Sequence, residues 1–227
     1  MYRLNSRSHL SHADFFLLGL AYASLIFTIA YDVTGLKSEF SAGFAIEDGP
    51  VEWGTAVCLA LAAVVLFRNS GALWSKSGKA AALITAFYGV IYIFGAGEEI
   101  SWGQRIFGLE SGDFFSEHNF QNEITAHNLV VGDKQLTKTL FGPALTLVLL
   151  LYLVVLPLLH PRIVWMQTFA HSLSVPVPGK RHVLLTILAS LVMLAVNMDR
   201  KWEVYEFVFA LLSLSIFLSP ANTDEVT

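Results

Sequence analysis

The sequence predicts an all-α integral membrane bundle of about six transmembrane helices, with both termini in the cytoplasm. Composition points first to this class. Hydrophobic residues fill 55% of 227 positions, charged residues 14%, and the mean hydropathy is +0.59. A soluble domain of that length needs more polar surface to cover its core. Second, several nearly charge-free stretches approach the ~20 residues that cross about 30 Å of hydrocarbon. Third, the basic residues are distributed unevenly between the connecting loops.

The elements follow in order. Spans are expected at about 13–31, 51–67, 79–97, 139–159, 182–198 and 202–218, with a long extracytoplasmic loop at 98–138, so that 1–227 forms one transmembrane domain. Arg3 and Arg7 precede the first run as in a signal peptide. The run is too long for a typical h-region and no A-x-A site closes it, so an uncleaved signal anchor is expected. Spans five and six are joined by Asp199-Arg200-Lys201. One continuous helix there would leave three charges in lipid at about 2.5–3.5 kcal/mol each.

Orientation follows from Lys and Arg. The two internal loops on the N-terminal side, 68–79 and 160–182, contain Lys or Arg and no Asp or Glu. The positive-inside rule therefore places the N-terminus in the cytoplasm. Fifteen of the eighteen acids then lie at or beyond the outer helix ends. A solvated outer face explains Glu110, Asp113 and Asp133, but explains less well the acids that abut apolar runs. The lone Cys58 cannot form an internal disulfide and reads as buried and inert. No basic stripe suggests nucleic acid.

Four clusters sit where the outer helix ends should converge. Glu47-Asp48-Gly49-Pro50-Val51-Glu52-Trp53 opens span two. Asp48 and Glu52 share a face if the helix begins that early; the simpler reading is acids at a helix start with Pro50 in its first turn. Glu98-Glu99-Ile100-Ser101-Trp102-Gly103-Gln104-Arg105 closes span three. Arg105 lies two turns after Glu98 if the helix persists, which allows a Glu98–Arg105 pair; an interfacial belt with Trp102 at the headgroups is the alternative.

The loop string Asn119-Phe120-Gln121-Asn122-Glu123-Ile124-Thr125-Ala126-His127-Asn128 places Glu123 and His127 four apart, on one face if helical. That is a recurrent way to present a carboxylate and an imidazole to a metal or substrate. Asp199, Glu203 and Glu206 fall at i, i+4 and i+7 at the start of span six. Glu206 lies a full turn inside, where an unpaired charge is expensive.

The string Gly97-Glu98-Glu99-Ile100-Ser101-Trp102-Gly103-Gln104-Arg105-Ile106-Phe107-Gly108, with Asn119 to Glu123 and His127-Asn128-Leu129, resembles a group of uncharacterised bacterial multi-pass membrane proteins. The likeness covers roughly residues 45–130. It implies the inner (plasma) membrane of a bacterium and the choice of site residues, and brings no known activity. Letters of the CAAX-protease and bacteriocin-processing pattern also occur. However, Arg105 follows Glu98-Glu99 two residues too late, and Phe114-x-x-x-His118 begins fifteen residues after Glu99, too near for a separate span.

The expected site is an acidic, His-containing polar pocket at the extracytoplasmic face. Glu98, Glu99, Arg105 and His127 would carry chemistry. Glu52, Trp102, Gln104, Asn128, Glu203 and Glu206 would line the pocket. Glu99, Glu123 and His127 are the candidate ligands of a divalent metal ion. Three functions fit these residues: a metal-assisted or acid–base enzyme acting on a lipid or lipid-linked substrate, an assembly or partner-binding subunit, and a cation or proton-coupled transporter. Membrane lipids are the expected partners.

Overall fold

A computed structural model describes residues 11–227; Arg3 and Arg7, the basic flank expected before the first span, lie outside the described residues. Of the described residues 75% are helical, with almost no sheet. Four helices are long and apolar enough to cross a membrane: α1 (His12–Thr34), α2 (Pro50–Lys76), α3 (Lys79–Glu99) and α4 (Leu136–Leu159). Three further helices follow, α5 (Val164–Ser172), α6 (Lys180–Ala195) and α7 (Lys201–Leu218).

Local chemistry sets the boundaries. Ser11 caps α1 by accepting the Asp14 N–H at 3.1 Å, and Gly35 ends it in the left-handed conformation that suits glycine. Pro50 opens α2, where its missing N–H costs nothing. α4 widens into π turns at Leu140–Ala144 and Leu151–Val155, beside Pro143 and Pro157. A proline ring removes a ladder donor and crowds the carbonyl four residues back, so the helix loosens there.

Three expectations need correction. The second span does not end at 67: α2 continues to Lys76, so most of 68–79, expected as a loop, is helical. The fifth span does not run to Met198. α6 stops at Ala195 because Val196 turns to extended backbone, with φ −78° and ψ 142°. Residues 160–182, read as a plain loop, contain the helix α5.

The core is built around α7. Nearly all its residues from Val204 onward are buried against α1, α2 and α6, as befits a helix that is apolar on all sides past its first two turns. Close approach to α2 depends on Gly54, where an added Cβ would meet the Phe207 ring at 2.7 Å. α2 begins, α3 ends and α7 begins at one end of the bundle, here the acidic end, and the connection between α3 and α4 folds over it.

The opposite end is tied by buried polar contacts. Ser215 donates to Asp14 Oδ1 at 2.6 Å, the Arg181 guanidinium bonds Asp14 Oδ2 at 3.2 Å, and His182 Nε2 lies 3.0 Å from Ser215 Oγ. Serine, histidine and aspartate here do not form a nucleophilic triad. His182 Nδ1 accepts the Gly179 N–H at 2.9 Å, so Nε2 carries the proton and donates to the hydroxyl. With all three side chains buried, the arrangement locks α1, α6 and α7 together.

Candidate functional site

Helix α3 stops at Glu99 because Ser101 and Trp102 take left-handed backbone, with φ 47° and 52°. The turn folds Trp102 back so that its indole N–H donates to Glu98 Oε1 at 2.8 Å. Gly97 permits this: a Cβ there would meet the indole at 2.8 Å. The reversal also redirects Arg105. The expected Glu98–Arg105 pair does not form, because the helix that would align them ends between them.

Arg105 instead reaches four carboxylates. Its guanidinium lies 3.0 Å from Glu47 Oε1, 2.5 Å from Asp48 Oδ2 and 3.5 Å from Glu52 Oε1, and it also bonds Glu123. Burial works against its charge; the hydrogen bond to Asp48 and the charge of Glu123 outweigh that and hold it above its ordinary value. Arg105 is thus a clamp joining the loop to the start of α2 rather than a cation free for substrate. Asp48 and Glu52 do not share a helical face, since Asp48 has φ 57° and α2 starts at Pro50. Glu52 reaches back and accepts the Asp48 N–H at 2.7 Å, in the manner of a capping box.

The polar loop is not helical between Glu123 and His127, so those residues do not face one point as their spacing suggested. Side chains bind backbone instead. Asn119 bonds the carbonyl and hydroxyl of Thr125 at 3.0 and 3.1 Å and accepts the Gln121 N–H at 2.9 Å. Asn128 donates to Glu123 Oε2 at 3.0 Å and also to Gln121. Gln104 accepts the Ile124 N–H at 2.7 Å. Asn and Gln are suited to this because each offers both a donor and an acceptor.

This scaffold delivers His127 to Glu98. The imidazole Nδ1 lies 3.1 Å from Glu98 Oε2, which also accepts the backbone N–H groups of Ala126 and His127 at 2.7 and 2.9 Å. With Trp102, four donors converge on one carboxylate, which therefore acts as acceptor only. The His127 proton then sits on Nδ1, and Nε2, which has no partner among the described residues, presents its lone pair.

A second group of acids lies beside this dyad. Glu99 is within electrostatic reach of Glu206, Glu203 and Glu52, and His127 is within reach of Glu203. Arg200 pairs with Glu203 at 3.2 Å and approaches Glu47 at 3.8 Å. Among the described residues, Glu99 and Glu206 have neither a hydrogen bond nor an ion pair to protein. Glu206 is exposed although Val204, Tyr205 and Phe207 around it are buried. Asp199 does not extend the acidic stripe of α7. Arg200 is left-handed, with φ 58°, and the helix begins only at Lys201.

The expected metal set is not assembled. Glu123 is bonded to Arg105 and Asn128, His127 to Glu98, and Glu99 lies with the other group. Among the described residues, no three His, Cys, Asp or Glu side chains are arranged as metal ligands. Spacing did not reveal Glu47, Asn119, Thr125 or Arg200 as parts of the site. The Arg105–Glu47 contact joins residues 58 positions apart, for which a single sequence carries no local signal. No protein-family model, curated protein or solved structure matches the chain.

Proposed function

We propose that this chain is a six-span protein of a bacterial inner membrane, with both termini cytoplasmic, acting as an acid–base enzyme on a lipid or lipid-linked substrate at the extracytoplasmic face. The reading rests on one observation: Glu98 holds His127 through Nδ1 and leaves Nε2 without a partner among the described residues, with Glu203 of the neighbouring acidic group within electrostatic reach. A carboxylate that fixes the tautomer and orientation of a histidine is the general arrangement of a base. Four neighbouring acids with few cations need shared protons, which supplies the matching acid. A site beside membrane-spanning helices favours an amphiphilic substrate. In addition, α6 and α7 are antiparallel about a tight polar turn, and the buried length of α7 at the centre of the bundle supports counting both as spans.

In the hydrolytic form of the reaction, His127 Nε2 takes a proton from water as the oxygen attacks the electrophilic centre. A proton carried by one of the neighbouring carboxyls, Glu99, Glu203 or Glu206, passes to the leaving oxygen. The proton on His127 then returns to the carboxylates through water, and both groups regain their starting states. No metal is required by this sequence of steps.

The test uses purified protein in nanodiscs containing a total bacterial lipid extract in ¹⁸O-labelled water. Lipids are followed by mass spectrometry. Hydrolysis puts ¹⁸O into one product, and transfer gives a new lipid mass. His127→Ala and Glu99→Gln should each lower the rate about 10²–10⁴-fold, as removal of a general acid or base does. A wild-type lipid profile identical to those of both variants would exclude the enzyme.

A second reading, a partner-binding subunit, is favoured by a different observation. Ile106, Phe107 and Phe114 of the extramembrane connection are 55, 74 and 58% exposed. Apolar groups of that size on a solvated loop are what an interface would use. Under this reading the polar network only shapes the loop, and substitutions at Phe107 rather than His127 would abolish function.

A further inference from the structure

We propose that residues 163–179 form a re-entrant element, with α5 dipping into the leaflet at the basic end of the bundle and its exposed face lying against lipid acyl chains. The proposal requires only that α3 and α4 cross the membrane, and does not rest on the enzymatic reading.

The segment contains no Asp, Glu, Lys or Arg, and Arg162 and Lys180 bracket it. Its outward face is largely apolar: Val164, Trp165, Phe169 and Leu173 are 75, 64, 47 and 37% exposed, while Ala170 on the other side is fully buried. His171 is the polar exception, its side chain 68% exposed, and its Nδ1 lies 3.8 Å from Glu225 of the C-terminal tail. The two hydroxyls on that outward face are satisfied within the helix. Thr168 donates to the Val164 carbonyl at 3.2 Å and Ser172 to the Phe169 carbonyl at 3.0 Å. Hydroxyls satisfied in this way can face hydrocarbon without an unpaired donor.

Two hydrogen bonds set the depth. The Tyr88 hydroxyl donates to the Leu173 carbonyl at 2.8 Å, and the Tyr152 hydroxyl to the Pro176 carbonyl at 2.7 Å. Tyr88 lies nine residues inside the start of α3, and Tyr152 seven residues before the end of α4. At 1.5 Å per residue these are about 13 and 10 Å from the helix ends. The contacts therefore place the carboxyl end of α5 well inside the level at which α3 and α4 end.

Irregular backbone survives at such depth only when protein satisfies it. That condition is met. The Val177 N–H donates to Asn222 Oδ1 at 2.8 Å, Asn222 donates to the Val175 carbonyl at 3.0 Å, and the Ala221 N–H donates to the Val177 carbonyl at 2.8 Å. Pro176 and Pro178 present no N–H to satisfy. The tail after α7 thus seals the return strand, and the face of α5 that carries Val164, Trp165 and Phe169 remains uncovered.

The experiment uses the full chain with Cys58→Ala, reconstituted in nanodiscs. Spin labels are attached at Trp165→Cys and Phe169→Cys, with Leu147→Cys in α4 and Lys134→Cys in the loop as references. Collision with oxygen and with a water-soluble nickel chelate is measured at each. The proposal expects the oxygen-to-nickel ratio at 165 and 169 to exceed that at 134 and to rise from 165 to 169 towards the value at 147, which lies deeper. A ratio matching that at 134 would overturn it by placing α5 in water. Low collision with both reagents would overturn it in favour of a covering second copy. Should the variants fail to assemble, Trp165→Phe serves: the fluorescence lost relative to wild type should be quenched by brominated lipid and not by acrylamide. Quenching by acrylamide overturns the proposal.

Discussion

Arg105 is the residue on which the polar loop depends. Its guanidinium contacts Glu47, Asp48, Glu52 and Glu123 and so holds the loop to the start of α2. The side chain is 32% exposed, so solvent screening reduces what the pairs contribute. Arg105→Met should destabilise the protein by about 1–3 kcal/mol, below the usual figure for breaking a buried pair. Arg105→Lys should recover only part of this, since an ammonium cannot reproduce the planar fork. Thermal unfolding and proteolysis of the 104–135 loop measure both effects; an Arg105→Met protein as stable as wild type would remove the clamp. Gly97 makes a separate demand. Gly97→Ala should cost about 1–3 kcal/mol by overpacking against the Trp102 ring. It should also weaken the Trp102–Glu98 hydrogen bond, whereas Gly71→Ala, with open space around it, should be neutral or slightly stabilising.

At the scale of elements, helix contact depends on small residues. Gly54→Leu should separate α2 from α7, because Phe207 already occupies the space. Loss of assembled protein on size exclusion is expected for Gly54→Leu and not for Gly71→Leu. Helix positions were legible in the sequence because apolar runs must be long and nearly charge-free to cross hydrocarbon. The ends of α1 and α3 and the start of α2 accordingly fall close to the expected boundaries, whereas α2 runs nine residues past its expected end at 67, to Lys76, because Arg68 and the polar residues after it end the apolar run without ending the helix. The loop was legible in its residue types but not in its geometry. Reading Glu123 and His127 as i, i+4 assumed a helix, yet Asn119, Gln104 and Asn128 capture that backbone in turns. α5 was missed because Ser174, Pro176 and Pro178 mark the stretch as a loop, while its burial depends on partners such as Tyr88 and Asn222 far along the chain.

At the scale of the molecule, the two ends of the bundle differ in kind. One holds the acidic cluster and the folded loop; the other is closed by α5, the return strand and the C-terminal tail. The proposed orientation is tested by impermeant thiol labelling of intact cells in a Cys58→Ala background. Lys134→Cys should label from outside and Ser75→Cys should not; the reverse result inverts the orientation. Ser111 is a poor reporter, since only 7% of it is exposed.

The most direct test of the site is the protonation of His127, read by ¹⁵N NMR on histidine-labelled protein in nanodiscs. Subtracting the spectrum of His127→Gln assigns the ring, and neither substrate nor orientation needs to be known. Glu98 as acceptor predicts that the neutral imidazole carries its proton on Nδ1 and leaves Nε2 bare. Glu98→Gln should abolish that preference. A resonance pair showing the proton on Nε2, or one unchanged by Glu98→Gln, would contradict the dyad and with it the base on which the proposed chemistry depends.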